Sequence, residues 1–167
     1  MQYSKYQEFM AEMFGTMFIL LFGNGVNAMV SLFNLGGYTN ITFGWGLGVF
    51  LGILVSNRIT GAHLNPAVTL ALVLTKRFPL RKAPLFISAQ MLGGFLGAAL
   101  VYFFYLAKFQ QVDPLLEHSA GIFTTFPAIT NNFMPGFMAE IIASCILMFG
   151  ILAIVENFVN DKAGFLA

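Results

Sequence analysis

The chain has 167 residues, of which 58% are hydrophobic and only 9% charged, and its formal net charge is +1. Soluble domains carry about 25% charged residues, so this composition predicts an integral membrane protein, and the near-neutral charge gives no reason to propose a nucleic-acid partner. One cysteine excludes an intrachain disulfide, and two histidines and seven acidic residues offer little for catalysis, so we expect no enzyme activity, cofactor or metal site.

Four apolar stretches are long enough to cross a bilayer, which takes about 20 residues. They cover residues 9–33, 41–59, 83–107 and 133–155. The first is too long for a cleavable signal peptide and lacks its usual flanks, so we expect it to be the first span. The predicted fold class is an all-α, multi-pass membrane protein with four transmembrane helices.

A shorter helix is predicted between the second and third spans, at about residues 65–75. Asn65 is a favoured N-cap, and Pro66 suits the first helical position. Eleven residues give a helix of about 16 Å, roughly half of a ~30 Å hydrocarbon core. A half-helix at this depth survives only where it lines a polar cavity or is buried in protein. The pattern therefore predicts a re-entrant half-helix beside a pore.

The basic residues predict the orientation of the spans. With a cytoplasmic N-terminus, seven of the eight basic residues lie inside and only Lys108 lies outside, as the positive-inside rule requires. We therefore expect a protein of the cell (inner) membrane with both termini in the cytoplasm. Residues 108–134 form the extracellular or periplasmic loop in this topology.

A short sequence repeat links the first and fourth spans. Phe-Met-Ala-Glu occurs at residues 9–12 and again at 137–140. Gly15-Thr16 and Ala143-Ser144 follow at the same offset. We interpret residues 1–107 as a first three-span repeat and residues 135–167 as the first span of a second, inverted repeat with its cytoplasmic end. Chance similarity in a biased composition is the alternative.

The predicted pore lining is a run of backbone carbonyls that leads to an amide donor and the start of the half-helix. It comprises Gly61, Ala62, His63, Leu64, Asn65, Pro66 and Ala67. We expect the first four residues to be extended, with their carbonyls facing a polar lumen. A row of carbonyl acceptors followed by the amide donor of Asn65 favours neutral hydroxylated permeants or water over ions.

Several side chains in the predicted spans have two interpretations. Trp45 either anchors the membrane interface or walls a narrow part of the pore, and Val49 lies one helical turn deeper on the same face. Glu12 and Glu140 either relay protons or accept backbone N–H groups of a non-helical loop, and their matched positions favour the second role. For His63 we expect a neutral ring that holds the loop rather than a catalytic base or metal ligand.

Closely spaced glycines in the second and third spans predict close helix packing. They are Gly44, Gly48, Gly52, Gly93 and Gly97. Small residues four apart let helix backbones approach inside a membrane. Packing within the chain is favoured over a subunit contact.

These motifs resemble the major intrinsic protein family of aquaporins and aquaglyceroporins, and are most similar to its glycerol facilitator branch. The resemblance is carried by residues 9–12, 45–48, 61–69, 121–127 and 139–142. It implies a right-handed bundle, normally with six spans and two half-helices, and one pore per subunit of a homotetramer. It also implies passive permeation of glycerol, small polyols and water through a lipid bilayer.

The resemblance further implies roles for individual residues. Trp45 matches the aromatic residue of the selectivity filter, and Leu64 and the long outer loop are similar to the glycerol branch. Residues 61–64 match the carbonyl ladder and Asn65 the central donor. Glu12 and Glu140 match the acids that brace the loops.

One departure from the family pattern is that a second Asn-Pro-Ala half-helix, a filter arginine and a second filter aromatic do not follow the fourth span. We therefore expect an incomplete or split channel that needs a C-terminal half or a partner chain. The alternatives are a water-selective aquaporin, and a non-conducting truncated membrane protein that assembles with full-length subunits.

Overall fold

A computed structural model of the protein describes residues 3–127, 129 and 132–154. The helices are α1 (Lys5–Phe33), α2 (Tyr38–Thr60), α3 (Pro66–Leu74), α4 (Ala83–Phe104), α5 (Leu106–Val112) and α6 (Phe133–Ile154). Short 3-10 turns occupy Leu80–Lys82 and Ser119–Ile122. The residues that the structure describes contain no β-strand. Four helices are long and apolar enough to cross a membrane, namely α1, α2, α4 with its preceding turn, and α6. The predicted architecture of four long helices and one half-helix is confirmed.

Local polar signals set where the helices begin. The hydroxyl of Ser4 accepts the backbone N–H of Gln7 at 3.2 Å, while the Gln7 side chain accepts the N–H of Ser4 at 2.9 Å. This capping box starts α1 four residues before the apolar stretch, because capping depends on polar atoms and not on hydropathy. Asn65 caps α3 in the predicted way, accepting the N–H of Ala67 at 2.8 Å.

The C-terminal limit of the third predicted span differs from the structure. The third span ends at Phe104, and α5 then occupies the start of the predicted outer loop, which also contains the turn Ser119–Ile122. Val155, the predicted end of the fourth span, lies outside the described residues.

Helix α1 lies between α2 and α4, and glycines allow both contacts. A Cβ on Gly52 would lie 2.7 Å from the carbonyl oxygen of Gly15 in α1. On the α4 side, a Cβ on Gly97 would lie 2.6 Å from the carbonyl oxygen of Met17. Real Cβ atoms do not approach backbone this closely, so only glycine permits the packing. The interpretation of these glycines as packing positions within the chain is confirmed.

An ion pair joins the beginnings of α1 and α4. Lys82 Nζ lies 2.5 Å from Glu8 Oε1, and Glu8 is 7% exposed. Both helices therefore begin at the same end of the bundle, as expected for the first and third spans of one topology.

The chain divides into two compact units, residues 1–125 and 126–167. Helix α6 is the described helix of the second unit. Glu12 in α1 and Glu140 in α6 each lie seven residues after the first residue of their helix. The repeat visible in the sequence therefore corresponds to equal positions along two long helices.

Candidate pore-lining site

The loop between α2 and α3 is not extended, so that expectation is wrong. Gly61, Ala62 and Leu64 have φ values of 82°, 55° and 51°. A left-handed conformation costs of order 1–3 kcal/mol at a residue other than glycine, so it persists only where the surroundings enforce it. Here the loop must end one helix, begin another and direct two successive N–H groups at one carboxylate.

That carboxylate belongs to Glu12, which is 0% exposed. Its Oε1 accepts the backbone N–H of His63 at 3.1 Å, and its Oε2 accepts that of Leu64 at 2.8 Å. The side chain of Gln90 in α4 donates a third hydrogen bond, to Oε2 at 2.7 Å. Hydrogen bonds to an ionised acceptor are roughly twice as strong as neutral ones. These bonds offset the strain of the loop, and they make Glu12 its brace.

The side chain of His63 is also engaged inside the protein. Its Nδ1 lies 3.1 Å from Thr69 Oγ1 in the half-helix. Its ring packs edge-on against Phe78, with centroids 4.5 Å apart, and lies 4.9 Å from Phe86. These contacts fix the ring between α3 and α4. Among the described residues, no three His, Cys, Asp or Glu side chains are grouped to hold a metal ion.

The residues predicted to line the pore differ in their exposure and in their hydrogen bonds. His63 and Leu64 are buried, so their side chains face the protein interior. The carbonyl of Leu64 accepts a hydrogen bond from Thr16 Oγ1 at 3.3 Å, so it is not a free member of the predicted carbonyl ladder. Gly61 and Ala67 are exposed, and Ala62 is half-buried.

Asn65 and Pro66 form the start of the half-helix, and both are half-buried. The Asn65 Oδ1 is occupied by the N–H of Ala67, and no acceptor faces its Nδ2 within the described ranges. A primary amide carries two N–H donors. Asn65 therefore caps α3 with one end of its amide and presents donors with the other.

Trp45 and Val49 lie on α2 at helical spacing. Trp45 is half-buried, and its Nε1 donates to Asn27 Oδ1 of α1 at 3.4 Å. Val49 is 41% exposed. Glu140 lies on α6 in the second unit, where it is exposed and has no hydrogen-bond partner in the part of the chain that the structure describes.

Sequence reasoning missed three polar residues at this site, namely Thr16, Thr69 and Gln90. All are at most 5% exposed. Gln90 Nε2 contacts both Glu12 and Thr69, at 2.7 and 3.0 Å. A polar side chain within an apolar span was the available signal, because such a group needs a partner.

The outer loop has its own carboxylate anchor. Asp113 accepts backbone N–H groups from Glu117 at 3.0 Å, His118 at 2.9 Å and Ser119 at 2.7 Å. Desolvation raises the pKa of Asp113, but the hydrogen bonds from the Ser119 side chain and from the backbone of His118, Ser119 and Glu117 outweigh it and lower the pKa to about 2. The loop that follows α5 is therefore tied to an ionised side chain.

The whole chain matches the family model for the major intrinsic proteins, over residues 1–167. The protein belongs to the major intrinsic protein family. This major intrinsic protein is 40% identical over 153 residues to the glycerol uptake facilitator protein of Bacillus subtilis, covering 89% of this chain and 55% of that protein. It is 39% identical over 157 residues to aquaglyceroporin-3 of Trypanosoma brucei brucei, covering 90% and 52% of the two chains.

A solved structure gives the same result. The X-ray structure of the aquaglyceroporin from Plasmodium falciparum superimposes with a TM-score of 0.59 at 36% identity, covering 67% of this chain and 48% of that chain. The major intrinsic protein described here thus spans about half the length of these relatives. Members of the family are membrane channels, and the four long apolar helices make this chain a multi-pass membrane protein.

Proposed function

We propose that this chain builds one wall of a passive channel for glycerol and similar small uncharged solutes, with water. The observation that carries the proposal is the half-helix α3, whose N-cap Asn65 has amide donors without a partner among the described residues, while Glu12 fixes the preceding loop. The relatives named as a glycerol uptake facilitator and as aquaglyceroporins support the same class of permeant.

The charges of the site favour an uncharged permeant. Glu12 is fully enclosed, and its oxygens are occupied by N–H donors of the protein. The positive end of α3 disfavours cations and protons. A hydroxyl group both donates and accepts hydrogen bonds, so it suits the Asn65 amide and the carbonyls beside it.

We propose that the pore has an apolar side as well as a polar one. Trp45 and Val49 would face the carbon chain of a polyol, while Asn65 and the carbonyls of Gly61 and Ala62 would bind its hydroxyls. Binding sites for small molecules combine apolar walls with a few placed polar groups. The opening bounded by the Trp45 ring would then be wide enough for glycerol as well as water.

The proposal extends to the assembly and its place in the cell. A pore of this architecture needs an opposing wall, which we propose comes from a C-terminal half or a partner chain. We also propose that Glu140 braces the loop of that wall as Glu12 braces the first. We further propose a homotetramer with one pore per subunit, in the cell membrane, with both termini in the cytoplasm. The basic residues Lys76, Arg77, Arg81 and Lys82, which follow α3, support this orientation.

The test is glycerol flux through a completed channel. This chain replaces the matching segment of the Bacillus subtilis facilitator, and the chimera is reconstituted in liposomes. Under a glycerol gradient we expect fast shrinkage as water leaves, followed by fast reswelling as glycerol enters. Shrinkage without reswelling would indicate a water-selective channel, and neither change in a folded chimera would contradict the proposal.

Two variants sharpen the test. Asn65→Asp keeps the oxygen that caps α3 but replaces the amide donor with a charge, so glycerol flux should fall while helix content stays unchanged. The 167-residue chain alone should give no glycerol flux above protein-free vesicles, because polar groups in lipid without an opposing wall cost several kcal/mol each. Rapid reswelling by that chain would show that no second wall is needed.

A further inference from the structure

The Trp45 indole is held by α1 at its face as well as at its edge. A Cβ built on Gly23 would overlap the indole atoms Cδ2, Cε2 and Cε3, so the fused bond of the ring lies directly on the Gly23 backbone. Gly23 is buried. The glycine therefore serves as a platform that fixes how closely the aromatic ring approaches α1.

Asn27 holds the edge of the same ring from the next turn of α1. Its Oδ1 accepts the indole Nε1–H at 3.4 Å, and its Nδ2 donates to the Ile122 carbonyl at 3.3 Å. An indole N–H only donates and a carbonyl only accepts, so these two partners allow a single orientation of the amide. Asn27 thus links the ring on α2 to the outer loop.

The outer partner of this link is itself well fixed. Ile122 is 1% exposed and packs in an apolar cluster with Ala28 and Val101. The turn that contains it, Ser119–Ile122, begins at a residue bound to Asp113. The Asn27 amide is therefore attached to a part of the loop that is held by apolar packing and by hydrogen bonds.

We infer that Asn27 is a positioning residue for Trp45. Together with Gly23 it sets the position of the Trp45 ring and so the width of the channel opening beside that ring. The inference rests on the proposed function, because it concerns how that channel selects its solute. A ring fixed at its face and at its edge keeps one rotamer. Release of the edge lets the indole turn and so changes the opening.

Fluorescence of the full chain in detergent micelles tests the positioning directly, since Trp45 is its sole tryptophan. Asn27→Leu removes both hydrogen bonds while keeping the number and branching of the side-chain heavy atoms, and should lower the emission anisotropy and increase quenching by acrylamide. Asn27→Asp keeps the acceptor for the indole but not the donor to Ile122. It should retain the wild-type emission while hydrogen exchange of the loop after Ile122 becomes faster.

Alanine substitutions at two glycines of α1, one as the test and one as the control, examine the contact between Gly23 and the indole. Gly23→Ala should displace the indole and change the emission, because its new methyl group overlaps the ring. Gly25→Ala should leave the emission unchanged, since a Cβ there meets only Val101 Cγ2 at 4.0 Å. Circular dichroism confirms that each variant keeps its helix content.

The selectivity readout uses the completed chimeric channel. Asn27→Leu should lower the glycerol-to-water permeability ratio by about two- to tenfold, the change that corresponds to one neutral hydrogen bond. The same substitution should have no further effect in a Trp45→Phe background, while Asn27→Asp should keep the wild-type ratio.

The outcomes separate this inference from the proposed function. If Asn27→Leu leaves anisotropy and quenching at wild-type values, or if Asn27→Asp behaves like Asn27→Leu, then Asn27 does not position the ring. If Asn27→Leu changes the emission but not the ratio in a conducting chimera, the inference about channel width is wrong. A chimera that conducts no glycerol contradicts the proposed function instead, and the fluorescence result still decides the positioning.

Discussion

The two halves of α1 hold their neighbours in different ways. Near its beginning, the enclosed carboxylate of Glu12 accepts three hydrogen bonds of 2.7 to 3.1 Å. Near its end, the half-buried amide of Asn27 makes two bonds of 3.3 and 3.4 Å. Loss of a partner of a buried charge carries a large free-energy penalty, whereas loss of a longer bond to a neutral amide costs less. The half-helix is therefore fixed rigidly, while the aromatic wall can be adjusted by substitution.

The largest effect is expected from Glu12→Gln, which tests the rigid half. A glutamine has one acceptor oxygen, so its NH2 group must face at least one of the N–H donors that now bind the carboxylate. We expect a loss of roughly 2–5 kcal/mol in the free energy of unfolding, since each unsatisfied buried donor costs about 1–3 kcal/mol. Unfolding in mixed micelles, followed by circular dichroism, measures it.

Glu140→Gln, measured in the 167-residue chain without an opposing wall, is the matched control for Glu12→Gln. Glu140 is exposed and unpartnered within the described residues, so the change should stay within about 0.5 kcal/mol. Equal losses in the two variants would show that enclosure by the loop is not what makes Glu12 important.

Gly93→Ala tests whether close packing of α4 on α1 brings Gln90 to Glu12. A methyl group on Gly93 would overlap the Met13 carbonyl oxygen, so the helices must separate. We expect a loss of about 1–3 kcal/mol, as for other overpacked interiors. The adjacent Gly94→Ala places its Cβ 4.0 Å from Leu20 Cγ and should be neutral or slightly stabilising. Similar effects of the two substitutions on unfolding would rule out the packing argument.

Trp45→Phe tests the adjustable half through transport. A smaller ring without the indole N–H should lower the glycerol-to-water permeability ratio of the completed channel by about two- to tenfold. Phe43→Leu, which changes a 74% exposed aromatic residue of the same helix, is the control and should leave the ratio unchanged. An unaltered ratio in Trp45→Phe would favour the interpretation of Trp45 as an interfacial anchor.

The smallest effect is expected from Asp113→Asn, in the loop behind Ile122. Because the folded-state pKa of about 2 lies below the ordinary 3.8, the stabilisation by Asp113 is complete above about pH 4 and is lost as the pH falls to about 2. The unfolding midpoint of the variant should be lower than that of the wild type at neutral pH, and the gap should close across this window. A gap that is independent of pH would contradict the role of the carboxylate.

The sequence predicted the half-helix closely because its signals are local. The expected range 65–75 and the observed Pro66–Leu74 agree through an Asn cap and a proline at the first position. The beginning of α1 was missed by four residues, since the Ser4 capping box lies in a polar segment. The expected extended loop was wrong because the loop turns so that the N–H groups of His63 and Leu64 both reach Glu12, which is distant in sequence.

Run length, capping residues and motifs are properties of short segments, so the sequence alone was enough to predict the number of long helices, the position of the half-helix and the family. The tertiary structure decided which polar atoms meet. Gln90 reaches Glu12 across 78 residues, and Ile122 reaches Asn27 across 95. Both contacts require α1 to lie close to its neighbours. Glycines allow this approach, and the contacts exist only in the packed structure.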